Sequence, residues 1–140
     1  ILHDTLQTTD YLHIVEVLEW AYKARSKNMQ DPKTHEQYVL LLTEIGESGY
    51  REPAFREVVE NTCVSLLSKV RKQSLKVIIE DEKRLPNSCL LDSELGKQLI
   101  GKSIGDEISY KGYTYTITGL ESKYNFAYLN SIGVYKKSIS

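Results

Sequence analysis

The spacing of apolar residues changes about halfway along this 140-residue chain. Up to residue 73 the apolar side chains recur at every third or fourth position, which is typical of amphipathic helices. Beyond residue 73 short β-branched runs and alternating segments are separated by turn residues, which is typical of strands. We therefore predict an α+β chain, with a helical unit over 1–73 and a small α+β domain over 74–140.

Three amphipathic helices are predicted in the first half. The first begins at residues 8–10, where threonine and aspartate suit a helix start. Its apolar face comprises Leu12, Ile14, Val15, Val17, Leu18, Ala21 and Tyr22. The second is capped by Thr34 and ends at the glycine-rich residues 46–49. The third runs from about Pro53 to about Gln73, because proline suits a first helical turn and basic residues suit the last.

Short strands joined by turns are predicted in the second half. The expected strands are 75–80, 89–91, 106–110 and 113–118, with a final strand within 126–135. A short helix, capped by Asp92 or Ser93, precedes the third of these strands and ends at Gly101. Lys111-Gly112 forms a tight turn between two alternating runs. These elements predict a small antiparallel sheet that carries one short helix.

The short helix and the strand that follows it carry a family resemblance. They read Asp92-Ser93-Glu94-Leu95-Gly96-Lys97-Gln98-Leu99-Ile100-Gly101-Lys102-Ser103-Ile104-Gly105-Asp106-Glu107-Ile108. This pattern resembles the C-terminal domain of bacterial Gre-type transcription elongation and transcript-cleavage factors, in which a short strand enters a helical turn and a hairpin follows. The resemblance covers residues 89–121, including a returning strand from Tyr113 to Leu120. It implies an FKBP-like fold and docking on RNA polymerase.

Two features of Gre factors are missing from this sequence. Gre factors have a longer β-hairpin before the motif, whereas Gln73 and Asp92 are too close in sequence for one, so the predicted sheet is either smaller or completed by the strand within 126–135. Gre factors also hold a metal with an acidic tip of pattern G-D-x-x-E-N-A-x-Y. The most similar stretch runs from Gly49 to Phe55, where Glu52 matches the glutamate but Tyr50 replaces the aspartate. Because metal-dependent cleavage needs converging carboxylates, we predict no enzymatic activity, no metal and no cofactor.

The histidines and cysteines form no ligand or nucleophile pattern. His3, His13 and His35 fall in separate predicted elements, without H-x-x-H or C-x-x-C spacing, and we expect them to be solvated. Cys63 falls on a predicted inner helix face and Cys89 opens a strand, so both are expected to be small core residues. Two cysteines are too few for a disulfide framework, which favours a reducing, cytoplasmic compartment.

Two charged motifs are interpreted as structural. Residues 96–103 match the phosphate-loop pattern G-x-x-x-x-G-K-[ST] letter for letter. A phosphate loop needs a preceding strand and a long following helix, whereas Leu99 and Ile100 fit a buried helix face and a strand follows. The carboxylate run Glu80-Asp81-Glu82 is expected to form a solvated loop after a strand.

Tyrosines are concentrated near the end of the chain, where six of the ten lie from Tyr110 to Tyr135. In an alternating strand, Tyr113, Tyr115 and Ile117 share one face. We expect this face to be buried, because aromatic rings remove more apolar area from water than threonine methyl groups do. The accessible aromatic residues must then come from elsewhere. The predicted binding residues are Lys111, Lys123, Tyr124 and Tyr128.

The predicted function is that of a non-catalytic protein-interaction module. A net charge of −1 argues against a protein that coats nucleic acid through bulk charge. No apolar run approaches the ~20 residues of a membrane span. We expect docking on a protein partner, which the resemblance implies is RNA polymerase, in the cytoplasm. The alternative is an accessory domain of a larger nucleic-acid enzyme that binds single strands through tyrosines and lysines.

The start of the sequence suggests a longer parent protein. It reads Ile1-Leu2-His3, with no initiator methionine and without the basic start and long apolar core of a signal peptide. We therefore expect an excised domain or piece, whose neighbouring segments could carry further activity.

Overall fold

A computed structural model describes residues 8–52 and 54–139, with side chains described for 12–52 and 54–137. In chain order the elements are α1 (Thr8–Ser26), α2 (Pro32–Glu47), β1 (Thr62–Ser68), β2 (Gln73–Glu80), β3 (Ser88–Leu90), α3 (Glu94–Leu99), β4 (Glu107–Tyr110), β5 (Tyr113–Ser122) and α4 (Lys123–Ile139). None of the described helices is long and apolar enough to cross a membrane. The chain divides into a helical unit, within Ile1–Pro53 and Tyr124–Ser140, and a sheet unit, Ala54–Lys123. The predicted α+β class is confirmed.

α1 is the first predicted helix, with a narrower buried face than its apolar pattern indicates. The helix begins at Thr8, and the side chains of the predicted capping residues 8–10 lie outside the described ones. Leu12 and Val15 are exposed, although both belong to the predicted apolar face. The buried positions are Leu18, Ala21, Tyr22 and Arg25. The pattern therefore identifies the helix but overestimates the surface that it buries.

α2 begins at Pro32, where the proline predicts a helix start, but its capping residue precedes the predicted one. Asp31 is its N-cap, and the Asp31 carboxylate accepts a hydrogen bond from the Lys33 backbone N–H at 2.9 Å. Pro32 follows in the first turn, where its missing N–H costs no helical hydrogen bond. Thr34, the predicted cap, therefore lies inside the helix. The predicted glycine-rich ending is confirmed, because Gly49 just beyond the helix adopts a φ of 101°.

The predicted third helix over 53–73 is wrong, because this segment enters the sheet. Its second half forms β1, and Gln73 begins β2. The two strands pair antiparallel from Cys63↔Ile78 to Ser68↔Gln73, around a turn in which Lys72 has a φ of 51°. A short apolar run is compatible with both the helical and the strand spacing. Because β1 pairs with a strand on each side, this run takes the extended form. The boundary predicted at Gln73 therefore lies inside the sheet unit.

The predicted final strand within 126–135 is also wrong, because these residues belong to α4. Tyr124, Ala127 and Ser131 are buried at helical spacing. The Tyr124 ring meets the Tyr22 ring of α1 edge-on, with centroids 5.9 Å apart. The Tyr38 hydroxyl of α2 donates to the Tyr124 carbonyl oxygen at 3.1 Å. The third helix that packs in the helical unit thus comes from the end of the chain.

A buried polar network joins the three helices of this unit. Arg25 Nε donates to Ser131 Oγ and Arg25 Nη2 donates to Asn130 Oδ1, both at 2.6 Å. His35 Nδ1 lies 2.8 Å from the same serine hydroxyl, and His35 Nε2 lies 2.7 Å from the Met29 carbonyl oxygen. The expectation of a solvated His35 is wrong, because both ring nitrogens find partners inside the unit.

The sheet unit contains five strands in the order β3-β2-β1-β5-β4. Neighbours pair antiparallel except β2 and β3, which are parallel, so the sheet is mixed rather than purely antiparallel. The hydrophobic core includes Val64, Leu66, Ile79, Leu95, Leu99, Ile108, Tyr115 and Ile117. Burial of Tyr115 and Ile117 confirms the predicted buried face of β5, whereas Tyr113, at its start, is 39% exposed.

α3 confirms the predicted short helix of the Gre-like segment. Its N-cap is Ser93, whose Oγ accepts a hydrogen bond from the Gly96 backbone N–H at 3.0 Å. A Cβ atom on Gly96 would lie 2.1 Å from the Leu90 carbonyl oxygen, so the close approach of α3 to β3 requires glycine. Leu99 is fully buried, whereas Ile100 is exposed, contrary to prediction. Because α3 runs through the phosphate-loop pattern, that pattern forms no phosphate loop.

Glu80, at the end of β2, is the centre of a buried ionic network in the sheet unit. Its carboxylate accepts hydrogen bonds from Ser88 Oγ at 2.6 Å, Arg84 Nη1 at 3.1 Å and Lys123 Nζ at 3.3 Å. The side chains of Glu80 and Lys123 have no exposed surface. The predicted solvated run is therefore wrong at Glu80, while Asp81 and Glu82 are exposed as expected.

Replacing Leu99 by alanine tests the packing of α3 on the sheet. Leu99 is fully buried, and its truncation should lower the free energy of unfolding by about 2–5 kcal/mol. Lys97→Ala changes an exposed residue of the same helix and should have an effect below about 0.5 kcal/mol. Chemical denaturation of both variants makes the comparison, and wild-type stability of Leu99→Ala would contradict the packing.

The buried ion pair gives a second prediction, on coupling between Glu80 and Lys123. Glu80→Gln leaves the Lys123 ammonium buried without this carboxylate, and we expect a loss of about 3–5 kcal/mol in the free energy of unfolding. The double variant Glu80→Gln/Lys123→Met should lose less than the two single variants together, because it removes both charges. A double-mutant cycle by urea denaturation measures this, and strictly additive losses would mean that the two residues are not coupled.

Candidate docking groove of the sheet unit

Two of the four predicted binding residues are inaccessible. Lys123 is fully buried beside Glu80, and Tyr124 is 7% exposed. The Tyr124 hydroxyl donates to a Glu19 carboxylate oxygen of α1. Burial and this carboxylate raise the pKa of Tyr124, so the phenol stays neutral. The expectation that these residues are exposed is wrong, because the first turn of α4 points both of them inward.

The other two predicted residues lie in different units. Tyr128 is half-buried in the helical unit, and its hydroxyl lies 3.2 Å from Thr43 Oγ1. Lys111 is exposed at the turn between β4 and β5, where its φ is 51° and that of Gly112 is 82°. Of the four predicted residues, only Lys111 lies on the sheet unit with its side chain exposed.

A cavity of about 690 Å³ lies in the helical unit beside the stretch that matches the Gre acidic tip. Its lining includes Leu18, Ile45, Tyr50, Glu52 and Tyr128. Both Glu47 and Glu52 line it. Within the described residues, no group of three or more histidine, cysteine, aspartate or glutamate side chains is placed to hold a metal ion. His13 is exposed as expected, and His3 lies outside the described residues.

A longer groove lies in the sheet unit and has two adjoining sections, together called here the docking groove. The apolar section, of about 420 Å³, lies beside α3 and β3, and its lining includes Cys89, Leu90, Ser93, Glu94 and Leu95. The basic section, of about 310 Å³, lies toward the β1–β2 and β4–β5 turns, and its lining includes Arg71, Gln73, Leu75 and Lys111. Both sections share Val77, Pro86, Asn87 and Tyr110, so they form one continuous groove.

The floor of the docking groove is the part of the sheet face beyond the tightly packed core. Leu75 and Val77 alternate onto this face of β2 and remain half-buried. The Tyr110 and Tyr115 rings lie 6.2 Å apart, and the Tyr115 hydroxyl donates to Gln73 Oε1 at 3.3 Å. Apolar and aromatic surface therefore stays partly open next to polar groups, which is the usual composition of a binding site.

Two cations in the basic section lie over aromatic rings. The Arg71 guanidinium carbon is 4.4 Å from the centre of the Tyr113 ring, and Lys111 Nζ is 5.2 Å from that of Tyr110. Such contacts attract the cation to the electron-rich ring face. Lys76 also lines this section, but it alternates with Leu75 and Val77, so its side chain belongs to the opposite face of the sheet.

The outer edge of β4 is covered by a side chain of α3. Gln98 Nε2 donates to the Ser109 carbonyl oxygen at 2.8 Å, and the Ser109 backbone N–H donates to Gln98 Oε1 at 3.3 Å. The amide thus occupies the backbone N–H and carbonyl of Ser109, which an added strand would otherwise pair with. Because exposed edges invite pairing with other chains, this arrangement protects β4.

The comparisons with known proteins give structural similarity without sequence support. No protein-family model matches the chain, and no curated protein matches it. It is similar to the prokaryotic transcription elongation factor GreA/GreB from Nitrosomonas europaea, at 18% identity and a TM-score of 0.39, covering 43% of this chain and 56% of that one. It is also similar to GreA factor homolog 1 of Thermus thermophilus, at 15% identity and a TM-score of 0.44, covering 80% and 94%. The chain thus spans little more than half of the Nitrosomonas europaea protein.

Lys111, a predicted binding residue, lines the groove, whereas neither Arg71 of the groove nor Gln98 at the β4 edge is predicted from the sequence as a site residue. Arg71 was assigned to the last turn of a helix, where basic residues are common, and it lies instead in the β1–β2 turn. Gln98 carried no signal, because its role depends on the edge strand that α3 approaches. The one indication of a hairpin in the sequence of this region is a run of basic residues followed by a β-branched strand.

Cys63 is a buried residue of β1 rather than a nucleophile. Burial, assisted by the Glu121 carboxylate, raises the pKa of the Cys63 thiol to about 12. The folded protein therefore keeps this thiol protonated at neutral pH, and a neutral thiol is a poor nucleophile. Its predicted role as a small core residue is confirmed.

The Cys63 environment predicts how stability depends on alkaline pH. The unfolded thiol ionises near a pKa of about 8.5, whereas the folded one ionises near about 12. The contribution of this group to stability is thus complete below about pH 8.5 and declines as the pH rises from there toward about 12. At pH 8, iodoacetamide labelling followed by peptide mass spectrometry should find Cys63 protected in the folded protein and modified in urea. Rapid labelling of folded Cys63 would contradict its burial.

Proposed function

We propose that this chain is a non-catalytic, cytoplasmic protein-docking module of the Gre type that binds RNA polymerase through the docking groove. One observation carries the proposal. The segment that resembles the Gre C-terminal domain forms the expected short strand, helix and hairpin, which are β3, α3, β4 and β5. The same segment lines the groove, with Ser93, Glu94 and Leu95 in its apolar section and Tyr110 in both.

The composition of the groove favours a protein partner. Protein interfaces combine an apolar centre with a polar rim, and tyrosine and arginine are enriched in them. Val77, Leu90 and Leu95 supply apolar surface, and Tyr110 adds a half-buried ring. A single-strand binder would instead need open ring faces along a basic track. Here Arg71 and Lys111 already lie over the rings of Tyr113 and Tyr110, so the nucleic-acid alternative has less support.

A groove substitution tests the proposed docking on RNA polymerase. Tyr110→Ala removes a half-buried ring that lines both sections, and we expect polymerase capture to weaken about tenfold or more, as at an interface hot spot. Tyr135→Ala is the matched control, because Tyr135 is also a half-buried tyrosine but belongs to the helical unit. Capture of purified polymerase by the immobilised full chain, with thermal melts of each variant, makes the comparison. A folded Tyr110→Ala variant that captures polymerase normally would refute the assignment of the groove.

The absence of catalysis is tested on a stalled transcription complex. We expect no Mg²⁺-dependent shortening of the transcript on addition of the chain, because transcript cleavage requires carboxylates that converge on metal ions. Shortening that disappears in Glu52→Ala would contradict the proposal and assign an active acidic tip to the helical unit.

A further inference from the structure

We infer that the docking groove binds an acidic segment of a partner protein, with partner carboxylates at Arg71 and Lys111 and an apolar partner side chain in the apolar section. This inference rests on the proposed docking function and adds to it the chemistry of the bound segment. It follows from the charge of the two turns, the placement of the cations and the modes of binding that the groove disfavours.

The two turns at the basic section form a cationic end of the sheet unit. The β1–β2 turn carries Lys69, Arg71 and Lys72, the β4–β5 turn carries Lys111, and all four side chains are exposed. Neither residues 68–79 nor residues 108–120 contain an aspartate or glutamate. Val70, at the tip of the first turn, is 87% exposed. This end of the sheet therefore complements a negatively charged surface that also has apolar groups.

Arg71 and Lys111 are ordered by the protein but not neutralised by it. Both lie over tyrosine rings, which limits the conformations of two long side chains before a partner binds. Within the described residues, no ion pair includes Arg71 or Lys111. A cationic side chain that is already ordered loses less conformational entropy on binding a carboxylate than a freely rotating one does. The arginine guanidinium can also donate two parallel hydrogen bonds to a single carboxylate.

Other modes of recognition fit the groove less well. Base stacking needs a free ring face, and the rings of Tyr110 and Tyr113 have cations over them. Addition of a partner strand to β4 needs its free edge groups, and Gln98 occupies those of Ser109. A segment bound here is therefore recognised mainly through its side chains. Its carboxylates have cations to pair with, and its apolar side chains have the adjoining section.

The continuity of the two sections sets the pattern of the partner segment. Tyr110 and Val77 line both sections, so the cationic end and the apolar floor are within one short segment of each other. Acidic and apolar residues should therefore occur close together in the partner sequence. An acidic segment without apolar residues would use only half of the groove.

The test uses the full chain and a fluorescein-labelled peptide of sequence Asp-Glu-Leu-Asp-Glu-Leu-Asp-Glu. The matched peptide replaces every aspartate with asparagine and every glutamate with glutamine. By fluorescence anisotropy, we expect the acidic peptide to bind and the neutral one to bind at least about tenfold more weakly. Raising the salt from about 0.05 M to about 0.3 M should weaken the acidic complex severalfold, because exposed ion pairs are screened.

Charge-matched variants locate the binding site. Arg71→Gln/Lys111→Gln should weaken acidic-peptide binding about tenfold or more. The control Arg56→Gln/Lys97→Gln removes the same charge from an exposed arginine and an exposed lysine of the sheet unit that do not line the groove, and should retain most of the affinity. Failure of the acidic peptide to bind, or equal losses in the two double variants, would overturn the inference. Tighter binding of a twelve-nucleotide oligothymidine that depends on Arg71 and Lys111 would overturn it in favour of nucleic acid.

Polymerase capture by the same variants separates this inference from the proposed function. Capture that is lost in Arg71→Gln/Lys111→Gln and retained in the control supports both. Capture that persists in Arg71→Gln/Lys111→Gln refutes the acidic segment but leaves the docking function standing. Wild-type chain that binds the acidic peptide through Arg71 and Lys111 but does not capture polymerase supports the acidic segment and refutes polymerase as the partner.

Discussion

The buried ion pair between Glu80 and Lys123 constrains the sheet unit, because neither side chain has any exposed surface. Two charges removed from water are tolerated only with close partners, and Glu80 meets Lys123, Arg84 and Ser88. These partners come from the first residue of α4, the loop after β2 and the start of β3. One carboxylate therefore joins the loop after β2 and the start of β3 to Lys123, which lies 43 residues beyond Glu80 along the chain. It also determines that the first residue of α4 faces inward, which removes Lys123 from any binding surface.

The opposite end of the sheet has the reverse arrangement, with charges exposed and apolar surface left partly open. There the β1–β2 and β4–β5 turns bring Arg71 and Lys111 to one section of the groove. The tyrosines of β4 and β5 support these cations instead of offering open stacking faces. Ionic groups thus stabilise the fold at one end of β2 and remain available to a partner at the other. This difference between the two ends of β2 is the physical basis for assigning partner recognition to the groove.

A site residue is predicted in the right place only where its segment is assigned to the right kind of element, helix or strand. Tyr115 and Ile117 were placed correctly, because alternation along a strand depends on local geometry. Tyr124 is expected on the surface, just before the predicted strand within 126–135, whereas in α4 it packs against Tyr22. Arg71 was assigned to a helix end, and in a hairpin turn it lies over Tyr113. These errors concern contacts between residues separated by tens of positions, which local spacing does not encode.

The sequence alone determined the elements with strong local signals. The glycine-rich end of α2, the Ser93 cap of α3 and the Lys111-Gly112 turn depend on backbone conformations and caps that a few residues decide. Only the tertiary structure decided whether 62–68 and 123–139 are strand or helix. The apolar residues of these two segments fit both the spacing of a helix and that of a strand. The free energy of pairing or packing with distant segments therefore decides which of the two forms. The burial of Glu80 and Lys123 was decided in the same way, because neither charge is stable in the core without the other.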